Sequence, residues 1–191
     1  MEVGLSGKLQ PWTVRGSKHV LRDRWISVRA DDCVTAEGVE LSPFYLLEYP
    51  DWVNVVAIDA EDHVILVRQY RHGLGRMSLE LPSGGRDLGE PVLEAAAREL
   101  FEETGYGSPR ALTLVASLSP NPSSHTNFAH TVLAEEAAIV GKPQPDATEV
   151  IEVERIPCAK AAELALSGGI VHTGHVTALL LGLRAAGKLG L

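Results

Sequence analysis

The chain has little cysteine, no long apolar run and no surplus of basic charge, and each absence closes off a class of protein. Cys33 and Cys158 are too few and too unpatterned for a disulfide framework or a zinc site, and they read as reduced structural thiols of a cytoplasmic protein. No apolar stretch reaches the length of a membrane span, and the opening residues MEVGLSGKLQ lack the basic-then-apolar pattern of a signal peptide. With 17 Lys and Arg against 25 Asp and Glu, the formal charge of −8 argues against a nucleic-acid partner, whose phosphates need a basic patch. No internal repeat or low-complexity segment occurs. What remains is 191 residues at 45% hydrophobic content, enough for one globular domain of ordinary size, with room for a terminal appendage.

Charge is concentrated in one place. Between Glu90 and Gly105 the chain reads as a helix carrying Arg98, Glu99, Glu102 and Glu103. At roughly 100° per residue, with Glu99 as zero, Glu103 falls near 40°, Glu102 near 300° and Arg98 near 260°. These four share a face, and Leu93, Ala96, Ala97 and Leu100 form another, between roughly 60° and 160°. Three carboxylates at i, i+3 and i+4 repel one another and weaken the helix. A divalent cation is the natural counter-charge, since clustered carboxylate oxygens suit magnesium or manganese. A solvated surface stripe is the plain alternative.

Around this helix the pattern suggests many short strands. Residues 11–15, 24–34 and 42–48 read as an N-terminal antiparallel unit. Val53 to Asp59 and His63 to Tyr70 read as strands around the turn Ala60-Glu61-Asp62, with a short segment from Ser78 to Leu81 after them. Pro82 to Gly85 is expected to turn the chain into the acidic helix, with Pro91 in its first turn and Gly105 as its stop. Ala111 to Leu118, Ala129 to Ala134 and Glu149 to Arg155 read as further strands, and Cys158 to Leu166 and Gly174 to Ala186 as C-terminal helices. Together these give a mixed α/β (α+β) sandwich.

The helix and its flanks carry a longer signature: Gly84, five residues, Glu90, seven residues, then Arg98-Glu99-Leu100-Phe101-Glu102-Glu103-Thr104-Gly105-Tyr106. This string resembles the Nudix box at every fixed position. Tyr106 is the one unusual residue, standing where an aliphatic side chain is more common. Nine specified positions across 23 residues leave little room for a chance match. The resemblance implies a mixed sheet packed between helices, an α/β/α sandwich here preceded by the antiparallel β unit. It implies a hydrolase in which Glu99 and Glu103 are the main metal ligands, Glu102 a direct or water-mediated third, and the Ser83 carbonyl a backbone ligand. Arg98 would orient a neighbouring carboxylate. Glu90 reads equally well as a support or as an ordinary first-turn acid favoured by the helix dipole.

Outside the box, Gln69-Tyr70-Arg71 and Glu80-Leu81-Pro82-Ser83-Gly84 resemble segments of the ADP-ribose and nucleotide-sugar pyrophosphatase branch. By that resemblance Arg71 contacts substrate phosphate or sugar. Two departures stand out. Asn127 occupies the place of an acid that holds a ribose in that branch, in a loop that also carries His125, with His130 just beyond. In the late loop Asp146-Ala147-Thr148-Glu149, Ala147 stands at a commonly acidic position, which leaves Glu149 as the candidate base, with Glu152 or a box glutamate as alternatives. Members of the branch exchange N-terminal strands between two subunits, so Trp12, Trp25 and Phe44 are candidates to stack on a base, Trp25 foremost.

The resulting expectation is a cytoplasmic homodimer with residues 1–48 as the dimerising β unit and 49–191 as the Nudix domain. It would use Mg2+, with Mn2+ as an alternative, to cleave a nucleoside diphosphate linked to another group X, such as ADP-ribose or a nucleotide sugar, with no nucleic-acid or membrane partner. The catalytic set is Arg98, Glu99, Glu102, Glu103 and Glu149; Ser83 joins Glu99, Glu102 and Glu103 on the metal; Arg71, Trp25 and Asn127 bind substrate. Dinucleotides, NADH and nucleoside triphosphates are alternative substrates, and a non-catalytic nucleotide-sugar sensor is the rival from another class.

Overall fold

The computed structural model describes residues 10–146 and 148–189; Ala147, where an acid is missing from the late loop, lies outside them. The chain forms two compact units. The first, reaching to Tyr49 and including Ser119–Asn127, is built on an antiparallel sheet of β1 (Thr13–Arg22), β2 (Ser27–Val34) and β3 (Glu40–Leu47) in that order. Ser119–Asn127 joins it through backbone bonds: the Leu47 amide donates to the Ser124 carbonyl at 2.7 Å, and the Thr126 amide to the Leu47 carbonyl at 3.2 Å. Arg29 anchors this sheet internally by donating to buried Asp31 at 2.8 and 3.0 Å and to Glu48.

The second unit holds an eight-stranded sheet. Its strands are β4 (Trp52–Asp59), β5 (His63–Arg71), β6 (Arg76–Glu80), β7 (Ser83–Gly85), β8 (Tyr106–Gly107), β9 (Thr113–Leu118), β10 (Ala129–Ile139) and β11 (Ile151–Pro157). The central path runs β11-β5-β4-β10-β8, with β6 beside β5, β7 beside β4 and β9 beside β10. Only β4 and β10 pair in parallel among these strands; the other pairs are antiparallel. Three helices accompany them: α1 (Val92–Thr104), α2 (Cys158–Ser167) and α3 (Thr173–Ala185).

Near-continuous apolar runs in β4 and β5 arise because both faces of the sheet are covered. Successive residues point to opposite faces. Thus Val53, Val55 and Ala57 pack with Ala95, Ala96 and Leu100 of α1, while Val56 and Ile58 pack with Ala161 and Ala165 of α2 and with Leu179 and Leu183 of α3. Val132 and Ala134 of β10 join the first group and Leu133 the second. This is the α/β/α sandwich that the sequence led us to expect.

Several local expectations change. Ser83–Gly85 is a strand paired with β4, not a turn, because Trp52, Val53 and Asn54 offer it a free edge. Pro91 stands just ahead of α1 rather than in its first turn, and Glu90 with it. Leu93 and Ala97 are exposed; the buried side of α1 carries Ala95, Ala96, Leu100, Glu103 and Thr104. The helix rests on the sheet through its small alanines, which rotates the acidic stripe partly into the protein. Glu149 precedes β11 rather than opening it.

Leu179 is fully buried between α3 and the sheet. Leu179→Ala should lower stability by about 2–5 kcal/mol, read as a shift in the urea midpoint with little change in slope.

Candidate active site

The end of β5, strand β7, the C-terminal half of α1 and the loop 141–150 enclose a cavity of about 420 Å3 within the second unit. Its wall includes Arg71, Ser83, Gly84, Arg98, Glu99, Glu102, Glu103 and Glu149, so most of the expected residues converge.

Strand β7 brings its backbone against α1, and Gly84 is the point of contact. A Cβ there would lie 2.1–2.2 Å from the carboxylate of Glu99, an approach only glycine permits. One residue earlier, the Ser83 amide donates to Glu103 Oε2 at 2.9 Å. Glu103 is 3% exposed, and burial pushes its carboxyl up to about 8, with Glu99 and Glu149 adding to the rise and the Ser83 N–H opposing it. Burial also raises Glu99, against the pull of Arg98.

Arg98 spends its guanidinium on protein groups. It donates to both oxygens of Glu90 at 2.9 Å, to Glu99 at 2.7 Å, to Glu102 at 3.2 Å and to the Gly85 carbonyl at 3.0 Å. Its pKa is raised, chiefly by Glu90. Glu90 therefore reaches the site through Arg98, from a position outside the helix, and is neither an isolated first-turn acid nor a direct neighbour of Glu99. Fork geometry of this kind fixes the directions of Glu99 and Glu102.

Gly105, left-handed at φ 72°, closes α1, and the following chain folds back over the helix end. The Val140 amide donates to the Gly105 carbonyl at 2.9 Å and the Gln144 amide to the Glu102 carbonyl at 2.8 Å, satisfying carbonyls that a helix end leaves open. This return carries Asp146 and Glu149 to the cavity, where the Glu149 amide donates to the Asp146 carbonyl at 2.9 Å and Glu149 Oε2 accepts from the Asp146 amide at 3.2 Å. Opposite, Arg71 donates through Nε to both oxygens of Glu80 at 3.1 Å and through Nη2 at 2.7 Å.

Among the described residues, no three Asp, Glu, His or Cys side chains form a finished metal cage. Arg98 holds Glu99 and Glu102, and the Ser83 amide holds Glu103. The donor set nonetheless suits a hard divalent cation: it is all oxygen, and the carboxyl pKa values of Glu99 and Glu103 are raised first by burial and then by their acidic neighbours, so loss of the protons would be favoured by a bound cation.

Other expected residues lie elsewhere. Trp25 and Asn127 belong to the first unit, whereas every residue lining the cavity comes from the second. Trp25 is 71% exposed with the Arg24 guanidinium 4.4 Å from its ring centre, and Trp12 packs edge-on against Phe44 at 5.5 Å. His125 packs on Tyr49 at 5.4 Å, and His130 bonds Ser117 at 2.8 Å and Asp51 at 3.3 Å. Glu152 lies on β11 opposite Arg68. Two residues unforeseen from sequence line the cavity, Trp52 and Asp87. Trp52 is marked by no motif; its pairing opposite Gly85 is what brings it there.

Buried carboxylates of raised pKa beside an anchored guanidinium serve a substrate that is itself anionic and meets its enzyme together with a cation, which is the requirement of phosphoanhydride hydrolysis. Comparison with known proteins agrees. Residues 48–173 match the model of the NUDIX domain, and residues 12–47 match that of the nucleoside diphosphate sugar hydrolase N-terminal domain. An ADP-ribose pyrophosphatase of Bacillus subtilis is 33% identical over 120 residues, 62% of this chain and 64% of the relative, so the match spans just under two thirds of that protein. A CMP-5'-(N-acetyl-N-hydroxy-3-aminopropyl)phosphonate hydrolase of Streptomyces rubellomurinus is 32% identical over 92% of this chain and 84% of its own length. A crystal structure of an ADP compounds hydrolase superposes with a TM-score of 0.83 at 30% identity, covering 96% of this chain and all of that one. The chain belongs to the Nudix family. It is a hydrolase acting on the phosphoanhydride of nucleoside diphosphate-linked compounds, in a family that works with divalent metal ions.

Folded Glu103 keeps its proton up to about pH 8, whereas an unfolded glutamate releases it near 4.5. The folded protein thus binds the extra proton between these values, and without metal its stability should fall as pH rises through that window, by at most ~1.4 kcal/mol per pH unit. Urea unfolding at pH 5, 6.5 and 8 measures this slope, and Glu103→Gln should flatten it.

Proposed function

We propose that this cavity hydrolyses ADP-ribose or a nucleotide sugar with magnesium, manganese serving as a substitute, to give a nucleoside monophosphate and a phosphorylated sugar. The observation that carries the reading is the meeting of Glu99 and Glu103 with the guanidinium of Arg71 in one cavity. Names of the relatives share a nucleotide and differ in its base and in the attached group, which supports the common pyrophosphate as the reacting element. Dinucleotides, NADH and triphosphates contain the same linkage and are the alternative substrates.

Glu99 and Glu103 would hold the ion, with Glu102 and the Ser83 carbonyl completing its protein ligands. When bound, such an ion neutralises phosphate oxygens and acidifies water. Arg98 keeps Glu99 and Glu102 in place. Arg71 grips the phosphate that the acids would otherwise repel. Water adds to one phosphorus as the bridging P–O bond breaks, and Glu149, at the exposed side of the wall, is placed to accept the proton. Glu152, away from the cavity lining, is the weaker candidate for that task.

The first unit supports a homodimer in which β1–β3 pair with a second copy, because Trp12, Val14, Val20, Leu21 and Tyr45 expose apolar surface there. In such a dimer Trp25 would stack on the base, and Asn127, whose amide both donates and accepts, would contact the sugar. Free, buried Cys33 and Cys158 suit a reducing cytoplasm.

Incubating the protein with ADP-ribose, nucleotide sugars, dinucleotides and triphosphates plus magnesium, with products identified by mass, tests the substrate class. Cleavage of none, alongside tight binding of one, would replace this reading with a sensor. Glu103→Gln should lower turnover by about 100-fold or more, and near wild-type turnover would sink the metal assignment.

A further inference from the structure

Arg71 owes its position to a chain of buried groups that no box motif contains. Glu80 is fully buried and accepts both donors of Arg71 described above. A buried carboxylate is tolerated only when its charge is answered and its surroundings are fixed. The next residue, Leu81, donates its backbone N–H to His175 Nδ1 at 2.9 Å, and His175 Nε2 lies 3.8 Å from Glu80 Oε2. Because Nδ1 is an acceptor, the imidazole proton sits on Nε2, the nitrogen that faces Glu80. Burial pushes the His175 pKa down to about 3, so the ring stays neutral and keeps this tautomer. His172 holds the ring from the side, edge-on at 4.3 Å, and its Nδ1 accepts from the His175 amide at the start of α3.

We propose that His175 is a positioning residue: by accepting from the Leu81 amide and facing Glu80, it fixes the Glu80–Ser83 segment and so aims Arg71 at substrate phosphate. The segment matters at both ends, since Glu80 holds Arg71 and the Ser83 amide holds Glu103. A C-terminal helix on the opposite side of the sheet from α1 thereby governs the phosphate grip. The inference rests on the reading of Arg71 as a phosphate-binding residue.

The test is ADP binding by calorimetry without divalent cation, on the full chain. Arg71→Ala and His175→Leu should each weaken ADP about tenfold, the low end of what loss of a supporting partner costs. The double variant should be no weaker than Arg71→Ala alone, because both remove one grip. His175→Asn, whose carbonyl can still accept from the Leu81 amide, should bind within about threefold of the parent. Leu179→Ala, in the same helix but in the apolar core, controls for lost stability and should bind as the parent does. Weakened binding in Arg71→Ala with none in His175→Leu overturns the positioning role and leaves the phosphate reading standing. Unchanged binding in Arg71→Ala overturns both. Additive losses in the double variant, or equal losses in His175→Asn and His175→Leu, show that His175 does not act through Arg71 and overturn the inference. Should His175→Leu fail to fold, Glu80→Gln, which keeps the shape and removes the charge, replaces it in the same cycle with the same expected tenfold loss.

Discussion

Two carboxylates buried side by side on one helix are the constraint on which the rest of this site depends. Glu103 is buried and Glu99 largely so against strand β7, and burial raises the pKa of both. Everything around them makes the burial tolerable. Gly84 gives up its side chain so that Glu99 can approach, the Ser83 amide answers Glu103, and Arg98 answers Glu99. The donors gathered at the cavity wall are oxygens of the kind a hard cation takes.

The two arginines that line the cavity differ in role. Arg98 has carboxylates on three sides and a carbonyl on the fourth, so it orients acids and has little left for a substrate. Arg71 has one partner, Glu80, and turns the remainder of its guanidinium to the cavity. A buried ion pair contributes little net stability by itself. Its service here is direction: a pinned Glu80 makes a long, flexible arginine into a fixed donor.

Sandwich architecture explains why these groups can be held so firmly. The α1 face of β4 packs against alanines and the opposite face against two C-terminal helices, so the strands that end at the cavity are clamped from both sides. The return that begins at Val140 is tied to the end of α1 by backbone bonds to Gly105 and Glu102. Glu99 and Glu103 thus lie on a helix packed against the sheet, whereas Glu149 arrives on a loop.

Much of this was legible in the chain itself. The spacing of Glu99, Glu102 and Glu103 marked the acidic helix, because local periodicity follows from helix geometry alone, and with Gly84, Glu90 and Gly105 it carried the resemblance to the Nudix box that implied the chemistry. The two strands β4 and β5 were also legible from their apolar content. Of the apolar group on the helix wheel, Ala96 and Leu100 meet the sheet and Leu93 and Ala97 do not, a division the wheel could not give. Glu90 read equally well as a support or as a first-turn acid, and its pairing with Arg98 decides for the support, while Ser83–Gly85 read as a turn when β4 had an edge to offer. Trp52 and His175 gave no sign; His175 lies 94 positions from its hydrogen-bond partner Leu81, which leaves no periodicity to read. The sequence by itself determined the charge cluster, the helix that bears it and the class of reaction. Only the tertiary structure decided which arginine is held among several acids and which is paired with the single carboxylate of Glu80 at the cavity wall, because long-range pairing, not local pattern, sets where each guanidinium goes.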